Sequence, residues 1–139
     1  MYGAKGIQAY KKDSLRSDLA SADPHRVIQL LMQGLLERLA ISKGFIERKD
    51  MESKSSTLTR CIEIINALRD SLEPDANPEL AQNLDSLYLY MIDRIHQASS
   101  EMSVAPLDEV IALLLQIKGA WDQISESDKQ EAYSQMEVS

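Results

Sequence analysis

The sequence predicts an all-α protein, an antiparallel four-helix bundle with an N-terminal arm, and three observations carry the prediction. Five glycines and four prolines in 139 residues, with no alternating polar and apolar run of useful length, argue against sheet. Apolar residues recur at spacings of three and four through four separate segments. Each segment is short enough, and close enough to the next, for sequential helices to pack antiparallel at about 20°.

The prolines mark where helices begin. Asp23-Pro24 and Asn77-Pro78 each place a side-chain acceptor before a proline whose missing N–H costs nothing at the first helical position, and Ala105-Pro106 marks a further start. Asp108 and Glu109 then suit the positive end of the helix dipole. The first helix is expected over 24–48, with Ile28, Leu31, Leu35, Leu39 and Ile46 on one face, and His25 solvated in its first turn. Lys49-Asp50 is the polar break before a second helix over 52–72, striped by Leu58, Cys61, Ile65, Leu68 and Leu72. A third helix over 78–99 carries Leu80, Leu84, Leu87, Met91, Ile95 and Ala98, and a fourth over 106–125 carries Leu107, Val110, Leu114, Ile117, Trp121 and Ile124. Residues 1–22 form the arm and 126–139 a polar tail, so that 1–139 is expected to be a single domain.

Composition excludes several partners. The net charge of −7 has the wrong sign for a surface that collects phosphates, so nucleic acid is not expected. The longest apolar runs, Leu87 to Ile92 and Val110 to Leu115, fall far short of the roughly 20 residues a membrane span needs, and no membrane insertion is predicted. A lone Cys61 and the lack of a secretory signal point to the reducing cytoplasm. Charge is also uneven: residues 1–20 carry four bases against two acids, ahead of an acidic body.

No catalytic apparatus is visible. A di-iron bundle needs two Glu-x-x-His pairs and two further carboxylates, and Asp93-x-x-His96 has no second copy. His96 is followed by Gln97, Ala98, Ser99 and Ser100, without the basic residue and glycine expected beside a phosphorylated histidine. Cys61 falls on a core stripe with no histidine near it in sequence, and glycine-rich phosphate loops are absent. The sequence thus predicts no enzyme, no metal and no cofactor, and the question becomes one of binding.

Apolar surface exceeds what one seam uses. LYLYMI, residues 87–92, is apolar through more than a turn, so Tyr88, Leu89, Tyr90 and Ile92 cannot all face the seam taken by Leu87 and Met91, and some are expected to face elsewhere. VIALLL, residues 110–115, likewise leaves Ile111, Leu113 and Leu115 beside Val110 and Leu114. Of these, Tyr88, Leu89, Ile92, Ile111 and Leu115 are the candidate groove for a second amphipathic segment, the alternative being simply a broad core with snorkelling tyrosines. The arm MYGAKGIQAYKK offers Tyr2, Ile7 and Tyr10. Burying them contributes roughly 1.5 to 3 kcal/mol each, against roughly 1 to 2 kcal/mol for each of about ten residues ordered. Such an arm docks marginally and is displaceable, or is an ordinary loose terminus.

The residues resemble the flagellin-specific export chaperones, the FliS family. The resemblance runs through the tyrosines around a glycine in the arm (Tyr2, Gly6, Tyr10), ADPHRVIQLLMQGLLERLAISKG, NLDSLYLYMIDRI and LDEVIALLLQIKGAWDQI. It implies a cytoplasmic, non-enzymatic bundle that binds the C-terminal segment of flagellin, prevents premature polymerisation and delivers it to the flagellar type III export gate. It also implies an arm that covers part of the binding surface, with Ile7 and Tyr10 contacting the gate protein. The chain departs from the family at EPDANPEL, where relatives carry small residues, and at Gln33, a position often aromatic in relatives. The competing expectation, from a different class, is a structural or adaptor bundle whose extra apolar surface makes a homodimer when free.

Overall fold

A computed structural model describes residues 23–123. Among them are four α-helices and no strand: α1 (Pro24–Glu47), α2 (Met51–Asp70), α3 (Pro78–Glu101) and α4 (Ala105–Asp122). Tyr2, Ile7 and Tyr10 of the arm, together with Ile124 and the polar tail, lie outside the described residues. Each helix packs on its neighbours in sequence and α4 returns to α1, closing an up-down-up-down bundle.

Capping explains the boundaries. The side chains of Asp23, Asp50 and Asn77 accept from the backbone N–H of Arg26, Ser53 and Leu80 at 2.8, 3.2 and 3.2 Å, each satisfying one of the orphan donors of a first turn. The hydrogen bonds from Ser53 hold the Asp50 carboxyl below the usual carboxylate range. Asp50 as the cap starts α2 at Met51, a residue earlier than the polar break suggests. α1 ends in a Schellman turn. Lys49 stands at φ 56°, its N–H donating to the Ile46 carbonyl at 3.1 Å while the Asp50 N–H donates to Phe45 at 2.9 Å. Met102, at φ 51°, ends α3 in the same way, with the Ser103 N–H donating to Ala98 at 3.1 Å.

Leu35, Leu39, Cys61, Ile65, Met91, Ile95, Ala98, Leu107, Val110 and Leu114 are wholly buried along the central seam. The third helix departs from the expected stripe. Leu80 is 52% and Leu87 36% exposed, whereas Tyr88 is only 3% exposed. The core face runs through Ala81, Leu84, Tyr88, Met91, Ile95 and Ala98, stepping strictly three and four, and residues one place earlier are turned away by about 100°. Tyr88 therefore belongs to the seam in place of Leu87.

Three buried polar residues lie within the helices, His25, Ser42 and Lys54. Ser42 Oγ donates to the Arg38 carbonyl at 2.7 Å. Lys54 places its ammonium 3.2 Å from the Ser99 carbonyl and 3.1 Å from Ser99 Oγ, donating to both. Ser99 lies in the last turn of α3, where carbonyls lack helical partners and the dipole is negative, so a buried cation from α2 is matched there.

Candidate functional site

At the end of the bundle where α1 and α3 begin and α2 and α4 finish, the helices leave an open apolar cleft of about 160 Å³. Ile28 and Met32 of α1, Leu72 and Ala76 after α2, Leu80, Ala81, Leu84 and Tyr88 of α3, and Ile117 and Trp121 of α4 line it. The first turn of α3 enters over the stiff Pro74 to Pro78 connection, and small Ala81 leaves the space that a larger residue at that seam position would fill. Burial pushes the Tyr88 phenol up to about 12, so it stays protonated and neutral at the base of the cleft.

A clasp between His25 and Trp121 fixes one wall. The rings stack with centroids 4.8 Å apart and planes 11° from parallel. His25 Nε2 donates to the Trp121 carbonyl at 2.9 Å, and Trp121 Nε1 donates to the His25 carbonyl at 3.0 Å. His25 is 3% exposed, which corrects the expectation of a solvated first-turn residue. The signal was present: His25, Ile28 and Met32 fall at i, i+3 and i+7 on one helical face. Beside the clasp, Gln29 Nε2 donates to Asp122 at 2.7 Å, and Lys118 lies 2.6 Å from the same carboxylate and holds it below the usual range.

The five predicted groove residues do not come together. Tyr88 is in the seam and reaches the cleft. Leu89 and Ile92 share a face of α3 with Asp85, which takes Arg69 of α2 at 2.7 Å, so they border the α2–α3 side. Ile111 and Leu115 share a face of α4 with Asp108, bonded to Lys43 of α1 at 2.6 Å, and border the opposite, α1–α4 side. Leu89 and Leu115 are exposed, whereas Ile92 and Ile111 pack partly against the core. Between α3 and α4 the Tyr90 hydroxyl donates to Glu109, which raises the phenol above its ordinary value, and Arg94 approaches the same carboxylate at 3.4 Å. Leu80, Leu84, Ile117 and Trp121, read from sequence as seam alone, are cleft residues.

Burial pushes the Cys61 thiol up to about 11, leaving it protonated and unreactive in the core. Among the described residues no group of three or more His, Cys, Asp and Glu could hold a metal ion, and no helix is long and apolar enough to cross a membrane.

A family model described as flagellar protein FliS matches residues 6–128. The chain is 46% identical over 125 residues to the flagellar secretion chaperone FliSB of Pseudomonas aeruginosa, which covers 90% of this chain and 99% of that relative. Flagellar secretion chaperones FliS of Vibrio cholerae and Salmonella typhimurium are each 40% identical, over 118 and 126 residues, covering 85% and 90% of this chain and 87% and 93% of theirs.

Proposed function

The chain belongs to the flagellar protein FliS family, and from that premise we propose that it is a cytoplasmic export chaperone that binds the C-terminal segment of flagellin. By that binding it prevents premature polymerisation and brings the flagellin to the flagellar export gate. The role is one of binding and not catalysis, as the name secretion chaperone in its relatives indicates. The observation that carries the reading is an apolar cleft left open on a member of this family, with Leu89 and Leu115 exposed on the flanks to either side.

Tyr88, Leu89, Ile92, Ile111 and Leu115 are the proposed contacts, and their division between two sides suits a long segment that wraps the bundle better than one helix in one groove. A flagellin end that folds as it binds would hide the surface it otherwise polymerises through, with affinity limited by the cost of ordering it. Tyr2, Ile7 and Tyr10 act in this proposal as a displaceable cover, and Ile7 and Tyr10 also as a contact for the gate protein. The whole chain works as one domain.

Calorimetry of the full chain with a C-terminal flagellin peptide tests this. A one-to-one complex at micromolar concentrations is expected, and a chain lacking residues 1–12 should keep its helical signal and bind at least as tightly. Absence of heat and of complex would overturn the proposal, and self-association without peptide binding would favour the homodimeric adaptor instead.

A further inference from the structure

α1 carries a second stripe besides the one it buries. Val27, Leu30, Gly34, Arg38, Ile41 and Phe45 follow one another at spacings of three and four, so they share a face turned away from Ile28, Leu35 and Ile46. Arg38 stands near Cys61 of α2, which puts this face on the α1–α2 side of the bundle. Val27, Leu30, Ile41 and Phe45 lie outside the hydrophobic core of the described residues, and Ile41 is 52% exposed. At 1.5 Å per residue the stripe is roughly 27 Å long, about five helical turns.

Gly34 stands in the middle of it. Glycine is the poorest helix former after proline, and a methyl group at this position would meet no neighbouring side chain within 4 Å, so packing among the described residues does not call for it. A bare helix surface there lets a second backbone approach closely. One turn further on, Arg38 interrupts the apolar run. It is only partly exposed, and among the described residues its guanidinium has no ion-pair partner.

The surroundings add to this positive charge. Residues 24–49 hold five Lys and Arg against Glu37 and Glu47, whereas residues 78–122 hold two against seven Asp and Glu. Glu37 accepts from Gln33 at 3.2 Å, and Glu47 lies toward Lys43, which is itself bonded to Asp108 on the α4 side. Arg48 closes the far end of the stripe, its guanidinium 5.2 Å from the Phe45 ring centroid. The end of α1 and the start of α2 meet there, so their dipoles offset one another and side chains carry the excess.

We propose that this face of α1 docks an amphipathic helix of a second partner, whose apolar stripe holds one Asp or Glu that meets Arg38 while its backbone passes over Gly34. The face is separate from the α3 and α4 residues proposed for flagellin and differs from them in charge, so the inference goes beyond the chaperone reading and does not depend on it. An anionic lipid surface suits the face less, because a notch and a charged residue break the stripe.

Calorimetry of the full chain with a designed five-turn helical peptide tests this, the peptide carrying Leu and Ile at spacings of three and four and one Glu within that stripe. One-to-one binding at micromolar concentrations is expected, about tenfold weaker when Lys replaces the Glu. Gly34→Leu is expected to keep or raise the thermal midpoint, since its side chain projects into open space, and yet to weaken binding about tenfold. Arg38→Gln is expected to remove the preference for the Glu peptide. Absence of binding, equal affinity for the two peptides, or unaltered binding by Gly34→Leu would overturn the proposal. So would binding only by a chain lacking residues 1–22, which identifies the arm as the occupant. Loss of binding in a chain saturated with the C-terminal flagellin peptide overturns it by placing flagellin here, and capture of anionic phospholipid vesicles in place of the peptide overturns it in favour of a membrane surface.

Discussion

His25 and Trp121 hold the first turn of one helix to the last turn of another with a stack and two hydrogen bonds. The Trp121 carbonyl stands in the last turn of its helix, where it accepts from the Gln123 backbone N–H of the cap and, from the neighbouring helix, from the imidazole N–H. His25→Phe keeps a flat ring against the indole but removes that donor. It is expected to lower unfolding free energy by about 0.5 to 1.5 kcal/mol, the net worth of one intramolecular hydrogen bond, measured by urea titration. A loss no larger than that of an exposed substitution would show that stacking alone makes the clasp.

At the scale of the element, α1 shows how a helix end is settled by local chemistry. Asp23 caps its start, and its other end needs a residue in the left-handed region, a place usually taken by glycine but here by Lys49 at φ 56°. Lys49 is exposed, so little packing is at stake. Lys49→Gly is therefore expected to raise stability by about 0.5 to 1 kcal/mol, read as a higher urea midpoint with an unchanged slope. Met102 occupies the equivalent place on α3 but packs against the core, so the same change there would lose contacts as it relieved the backbone.

For the molecule as a whole, the closed ring of contacts from α1 round to α4 means that each helix is held from two sides. Trp121, the only tryptophan, stands where α4 meets α1 and lines the cleft. If one core holds the bundle, its fluorescence and the helical circular dichroism should change at the same urea concentration. Separate midpoints would show α4 leaving before the other helices. The connections are short and the packing is mostly between sequence neighbours, an arrangement that favours such cooperative folding.

Periodicity and capping residues were enough to give the fold class, the four helices of the described residues and most of the seam, because spacing of three and four and an Asp or Asn before a helix act locally. FliS family membership was likewise legible in the third- and fourth-helix stretches. The rotation of α3 was not. LYLYMI is apolar on every side, so its own pattern could not choose between Leu87 and Tyr88, and the choice fell to how α3 meets Ile28, Met32 and Trp121. The cleft was equally hidden, since it is a space left between four helices around Ala81 and no single helix carries its outline. Local sequence determined which residues are helical and where each helix starts and stops. Packing alone decided which apolar side chains stay in contact with water, because that depends on the partner each face finds.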